Sequence, residues 1–129
     1  MYLYGINIWA VLVAAVASFV LGGIWYNKAV FGKTWMKLSG TKPKKGSNTK
    51  MVYGFLTTVV MAYVLALFIG AGSGAIRGMA IAFWVWLGFI ATITLSGWLW
   101  ENRAFKLWAL NNIYNIISLL VMGAIIGAW

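Results

Sequence analysis

Residues 107–129 have the sequence LWALNNIYNIISLLVMGAIIGAW, which is 23 consecutive residues without Asp, Glu, Lys or Arg. A helix that rises about 1.5 Å per residue needs roughly 20 apolar residues to cross a hydrocarbon core of about 30 Å. This run is therefore long enough to span a membrane. Three further uncharged runs of 20 to 23 residues precede it, at 6–26, 51–70 and 78–100.

The four runs predict an all-α fold, a bundle of four transmembrane helices in a single integral membrane domain covering 1–129. Helices of a soluble protein would carry a charged face opposite an apolar stripe, and none of these runs has one. Membrane strands are about ten residues long and alternate apolar with polar side chains, whereas these runs are continuous.

The basic residues indicate an orientation. Nine of the ten lie in the first and third connections: Lys28, Lys33, Lys37, Lys42, Lys44, Lys45 and Lys50, with Arg103 and Lys106. The positive-inside rule makes this side cytoplasmic, so both termini are expected to be extracytoplasmic. A net charge of +9 would suggest a nucleic-acid partner in a soluble protein. Here membrane topology and anionic headgroups account for the charge, and no nucleic-acid partner is expected.

The first connection, a Lys-rich loop at 27–50, contains a short amphipathic pattern. Phe31, Trp35 and Leu38 recur at i, i+4 and i+7, while Lys33 and Lys37 occupy the other face. This pattern predicts a short interfacial helix after the first span. Anionic lipid headgroups are the expected partners of the basic side chains, at about 1 kcal/mol or less for each one. The candidates are Lys33, Lys37, Lys42, Lys44 and Lys45.

The ends of the first and third spans have similar sequences. Residues 22–29, GGIWYNKA, align with residues 97–104, GWLWENRA. Two helical hairpins of the same orientation would form a parallel repeat, an arrangement known in small transporters. In a chain rich in Gly, Trp and Ala the match could also arise by chance, so both explanations stay open.

A family resemblance rests on residues 11–26, VLVAAVASFVLGGIWY, and on the FGKTWM that follows at 31–36. These residues resemble the opening of small bacterial proteins grouped as domain-of-unknown-function family 1761, and the Glu101 turn and residues 111–114 resemble its second half. The resemblance implies a four-helix integral protein of the bacterial inner membrane, with uncharacterised function. It transfers no catalytic residues.

The residue types that are missing exclude most enzymatic chemistry. The sequence has no His, Cys or Asp and only one acidic residue, Glu101. A carboxylate pair, a His/Cys metal site, a Cys nucleophile and a Ser-His-Asp triad are therefore impossible. We expect the protein not to be an enzyme and to hold no cofactor or metal.

Small residues predict close helix contacts. Ala10, Ala14, Ser18 and Gly22 form a ridge at four-residue spacing, and Gly123 and Gly127 form a GxxxG pair. Such contacts could lie within one subunit or between subunits. A homo-oligomer or a larger membrane complex is the expected assembly.

Polar residues within the spans concentrate in the half that is predicted to be cytoplasmic. Because lipid-exposed polar groups are costly, we expect them to face one another. The candidate cluster comprises Glu101, Asn111, Asn115, Ser118, Thr92, Ser96, Thr57 and Ser18. One interpretation is hydrogen bonding between helices at about 0.6 kcal/mol per contact. The other is a water-filled vestibule that opens to the cytoplasm.

Glu101 has two corresponding interpretations. It could be an interfacial carboxylate paired with Arg103 and Lys106, or it could point into the cluster as a cation or proton site. The sequence favours a non-catalytic scaffold or accessory membrane subunit. The alternative is a small oligomeric transporter or permeation protein for a small polar or cationic solute.

Overall fold

The computed structural model describes residues 2–41, 48–70 and 72–129. Four helices are long and apolar enough to cross a membrane: α1 (Ile8–Trp25), α3 (Asn48–Ile69), the third span (Ala75–Trp100) and α7 (Phe105–Ala128). A short helix, α2 (Gly32–Ser39), follows the first span. The all-α class, the four apolar helices and the short helix are confirmed.

The third span is not a regular helix throughout. It consists of α4 (Ala75–Val85), a π-helical segment (Trp86–Ala91), α5 (Thr92–Thr94) and α6 (Ser96–Trp100). A π-helical turn holds one extra residue and loosens the backbone hydrogen-bond ladder. Nothing in the apolar sequence of this run predicts where the extra residue is placed.

The chain before α1 forms a small hairpin instead of extending the first helix. Strands β1 (Tyr2–Leu3) and β2 (Ile6–Asn7) pair antiparallel. Tyr4 and Gly5 connect them with φ angles of 51° and 76°, both positive as in a type I′ turn. The first span therefore begins at Ile8 and not at residue 6, because the Asn7 side chain caps the helix by accepting a hydrogen bond from the Trp9 amide at 3.0 Å.

Small side chains fill the centre of the bundle, around α7, which contacts each of the other three spans. The buried core includes Ala14, Ala15, Ala62, Ala66 and Ala82, together with Leu119 and Met122. Large apolar side chains such as Phe89 and Ile93 point outward, at 69% and 71% exposure. This distribution fits a membrane bundle, in which small residues allow helices to approach and large ones face lipid.

The closest helix contact joins α4 to α7. A Cβ atom at Gly78 would lie 3.2 Å from the Cα atom of Gly127 and even closer to the Gly123 carbonyl. At the end of the contact, the Gly74 amide donates to the Gly127 carbonyl at 2.8 Å. The GxxxG pair on α7 is thus packed within the subunit, against Gly78 of the third span and Gly74 just before it.

Candidate functional site

A polar cleft of about 470 Å³ opens at the end of the bundle where the first and third connections lie. Its walls come from the end of α1, the second half of the third span and the first half of α7. The lining residues are Tyr26, Thr94, Ser96, Gly97, Trp98, Glu101, Arg103, Ala104, Leu107, Trp108, Asn111, Asn112 and Asn115. We call this feature the polar cleft.

The mouth of the polar cleft is built by the tight turn between the third span and α7. The amides of Glu101 and Arg103 both donate to the Gly97 carbonyl, at 3.3 and 3.0 Å. Asn102 lies between them with a φ of 57°, a left-handed conformation that Asn tolerates better than most residues. The turn folds both charged side chains back over Gly97, where a Cβ atom would meet the Arg103 side chain at 3.3 Å.

Glu101 and Arg103 form an ion pair at this mouth. The Glu101 Oε2 and Arg103 Nε atoms are 3.4 Å apart, and both side chains are 63% exposed. An ion pair as exposed as this contributes at most about 1 kcal/mol to stability. Glu101 therefore pairs with Arg103 and also lines the same cleft as Asn111 and Asn115. Among the described residues no three His, Cys, Asp or Glu side chains come together as metal ligands.

The two predicted amides of α7 differ in their surroundings. Asn111 accepts a hydrogen bond from the Tyr26 hydroxyl at 2.7 Å, which ties α7 to the end of α1. Tyr26 in turn packs edge-on against Tyr114, whose hydroxyl donates to the Ser18 carbonyl at 3.0 Å. Asn115 is partly buried and lines the cleft, and its side-chain amide makes no hydrogen bond with any residue in the described parts of the chain.

Asn112, which the sequence analysis did not select, is the most buried amide of the cleft, at 2% exposure. It accepts from the Trp86 indole at 3.1 Å and donates to the Thr94 hydroxyl at 3.2 Å and the Trp108 carbonyl at 3.0 Å. Three buried residues of α7 recur every seven positions and mark its buried side: Asn112, Leu119 and Ile126. The seven-residue spacing in the sequence indicates this side of α7, whereas the polar residues Asn111, Asn115 and Ser118 indicate a different one.

The hydrogen bonds of Asn112 stabilise the irregular part of the third span. Trp86 begins the π-helical segment and Ala91 ends it, and the Trp108 indole donates to the Ala91 carbonyl at 3.2 Å. Side chains of α7 thus contact both ends of the segment. π-helical turns occur often at functional sites. The position of this segment beside the polar cleft therefore favours the cleft as the functional site.

The predicted cluster does not come together at one place, because Ser18 and Ser118 lie apart from the residues that line the cleft. Ser18 and Ser118 are hydrogen-bonded to each other in the interior, at 3% and 4% exposure. Leu119 and Met122 follow on α7 and are fully buried. Ser18 and Ser118 thus join α1 to α7 and do not line the cleft that holds Asn111 and Asn115.

The hydroxyls of Thr57, Thr92 and Ser96 bond to their own helices and do not reach across the bundle. They donate to the carbonyls of Gly54, Gly88 and Ile93, at 2.7, 2.7 and 2.8 Å. All three residues are exposed, and only Ser96 also lines the cleft. These three residues therefore do not face one another as predicted. A hydrogen bond to a carbonyl of the same helix satisfies each hydroxyl without a partner helix.

The predicted small-residue ridge lies on the inner side of α1. Ala10, Ala14 and Ser18 are 4%, 0% and 3% exposed. Gly22 is packed against Tyr114, whose hydroxyl oxygen would lie 2.8 Å from a Cβ atom at that position.

Two of the five lysines predicted to contact anionic lipid lie in the described residues. Lys33 and Lys37 are exposed on α2, while Phe31, Trp35 and Leu38 on the opposite side are partly buried. Lys42, Lys44 and Lys45 lie outside the described residues.

Four helices long and apolar enough to cross a membrane, with one short helix beside them, indicate a small multi-span membrane protein. The chain belongs to a family described as "protein of unknown function (DUF1761)", whose model matches residues 9–127. The resemblance found in the sequence is thereby confirmed over nearly the whole chain. Comparisons with curated proteins and with solved structures gave no match.

Proposed function

We propose that the protein is a non-catalytic membrane scaffold or accessory subunit. The observation that carries this proposal is the closed interior below the polar cleft. Val11, Leu119 and Met122 are fully buried there, and the glycine contact between α4 and α7 brings backbones together. Because these side chains are apolar and the helices are close-packed, the described part of a single chain offers a polar solute no path across the bundle.

The outer surface is suited to contacts within the membrane. Val60 and Phe68 on α3 are 62% and 60% exposed, and Phe89 and Ile93 on the third span are more exposed still. Such faces can bind lipid, a second copy of the chain or another membrane protein. With the Lys-rich end in the cytoplasm of a bacterial cell, the lysines would contact anionic headgroups and both termini would be outside.

Site-specific photo-crosslinking in native membranes tests the scaffold proposal. A photoreactive residue is introduced at Val60 of α3 and, as the matched position on the other exposed face, at Phe89 of the third span. A specific partner should give one protein adduct of defined mass from one face only. Lipid adducts alone from both positions, together with saturable solute flux in proteoliposomes, would contradict the proposal.

Transport remains the second candidate because the polar cleft has the features of a vestibule. It holds the only acidic side chain of the sequence, Glu101, and an amide without a described partner, Asn115. If the cleft conducts in an oligomer, Glu101→Gln should abolish solute or proton flux in proteoliposomes while the helical circular dichroism stays unchanged. Arg77→Gln, which removes the basic residue at the other end, is the control. The scaffold proposal predicts no flux from the wild-type protein.

A further inference from the structure

Two amide groups in the polar cleft have hydrogen-bonding capacity that the described residues do not use. The Asn111 oxygen accepts from Tyr26, but its NH₂ group makes no hydrogen bond with any of those residues, and neither does the whole side-chain amide of Asn115. Both residues are only partly buried and line the cleft. Because these amide groups have no partner among the described residues and face an open cleft, they can bond to water or to a ligand.

The charged groups at the mouth have opposite signs. Glu101 and Arg103 lie at the edge of the same cleft and contact each other at 3.4 Å. Because an ion pair this exposed contributes little, a ligand that carries both charges can replace the pair at small cost. The carboxylate would bind a cation, and the guanidinium would bind an oxyanion in its planar fork.

Aromatic side chains flank the charges. Trp98 packs edge-on against Phe105 at 5.4 Å between ring centroids, and Phe105 packs against Trp108 at 5.3 Å. Trp98 and Trp108 line the cleft itself. Tryptophan faces attract ammonium groups, and tryptophans are common at the depth of lipid headgroups.

We propose that the polar cleft binds an ammonium–phosphate zwitterion of the phosphoethanolamine type, either free or as the headgroup of phosphatidylethanolamine. Glu101 and the tryptophans receive the ammonium group. Arg103 and the NH₂ groups of Asn111 and Asn115 donate to the phosphate oxygens. This site goes beyond the scaffold role and does not depend on it, because a ligand can occupy the cleft whether or not a partner covers the outer faces.

The size of the cleft agrees with this ligand. Its volume of about 470 Å³ lies within the range of roughly 300 to 1,000 Å³ that is typical of small-molecule sites. Asn111 and Asn115 lie about 9 and 15 Å from the start of α7, at about 1.5 Å per residue. The free amides are therefore deeper in the cleft than the charged mouth, so the phosphate of a bound zwitterion would lie on the inner side of its ammonium group.

Binding of defined ligands to the purified protein in detergent tests the proposal. Native mass spectrometry measures the affinities of short-chain phosphatidylethanolamine, short-chain phosphatidylglycerol and free phosphoethanolamine. The wild-type protein should prefer phosphatidylethanolamine to phosphatidylglycerol. Glu101→Gln should weaken phosphatidylethanolamine binding by up to about fivefold and change phosphatidylglycerol binding little, because only the first ligand carries an ammonium group and the carboxylate that binds it is exposed. Arg103→Gln and Asn115→Leu should weaken both.

The control is Arg77→Gln, which makes the same change as Arg103→Gln at the other end of the bundle and should leave all affinities unchanged. Helical circular dichroism of every variant checks the fold, and Asn115→Thr replaces Asn115→Leu if the latter does not fold. Competition by free phosphoethanolamine would identify a soluble zwitterion as a source, whereas binding of the lipid alone would identify the headgroup. Equal binding of the two lipids, or affinities unaffected by the three cleft substitutions, would overturn the proposal.

Discussion

Hydroxyl side chains in the spans form hydrogen bonds of two kinds, and only one kind holds helices together. Thr57 and Thr92 donate to carbonyls of their own helices and remain exposed. Ser18 and Ser118 bond to each other across helices and are buried. Spacing along the sequence cannot separate these cases, because a hydroxyl can reach the carbonyl three or four residues earlier wherever it lies on a helix.

The hydrogen bond between Ser18 and Ser118 should contribute measurably to stability. In a double-mutant cycle with Ser18→Ala and Ser118→Ala, we expect a coupling energy of about 0.6 kcal/mol, since hydrogen bonds between membrane helices average that value. Unfolding free energies in mixed detergent micelles provide the measurement. Thr57→Ala is the control and should change the free energy by less than about 0.5 kcal/mol, as is usual for an exposed site. A coupling of zero would show that the two hydroxyls act independently.

The elements of the fold were largely predictable from the sequence, and their ends and irregularities were not. Hydropathy placed four spans correctly, but α3 begins at Asn48 and the third span at Ala75, each three residues before the uncharged run. A run of apolar residues measures the hydrocarbon core, whereas a helix can continue into the polar interface, where water satisfies its first amides. The π-helical segment depends on contacts with Trp108 and Asn112, which no local pattern contains.

The aligned segments at 22–29 and 97–104 end their helices at matching positions. α1 ends at Trp25 and α6 ends at Trp100, and these two tryptophans correspond in the alignment. The turns that follow differ, because Asn102 is left-handed and Asn27 is not. The two halves therefore share a helix end without sharing the connection that follows.

Contact between α1 and α7 should fail when Gly22 gains a side chain. Gly22→Leu should destabilise the bundle by about 1 to 3 kcal/mol, the usual cost of overpacking, because the new side chain collides with Tyr114. Gly23→Leu is a closely matched control on the next position of the same helix, where a Cβ atom meets nothing within 4 Å. Thermal unfolding in detergent measures both variants. Equal stability of the two would show that Gly22 does not lie at a helix contact.

At the scale of the whole molecule, the two ends of the bundle differ in charge and chemistry. One end carries the polar cleft and, of the seven basic residues that the structure describes, all but Arg77. The other end has a smaller cleft of about 120 Å³, lined by residues that include Tyr2, Gly70 and Trp129. Arg77 lies at this end too. Tyr2 and Trp129 therefore lie at the end opposite α2 and the turn between the third span and α7.

Labelling of single cysteines in intact cells tests which end faces the cytoplasm. The natural sequence has no Cys, so each introduced thiol is the only target. We expect a cysteine at Ser73 to react with a membrane-impermeant reagent from outside and one at Thr41 to be protected until the cells are lysed, because the positive-inside rule keeps the Lys-rich connections inside. Reaction at Thr41 in intact cells would reverse the orientation.

If the polar cleft ends at a dry, packed core, thiol groups along α7 should differ sharply in their access to water. Single cysteines at Asn115 and at Met122, which is fully buried, are treated in proteoliposomes with a small water-soluble thiol reagent, applied separately to each side. We expect Asn115→Cys to react from the side of the Lys-rich connections and Met122→Cys to react from neither side. Reaction of Met122→Cys from either side in the folded protein would reveal a water path through the bundle and would contradict the scaffold proposal.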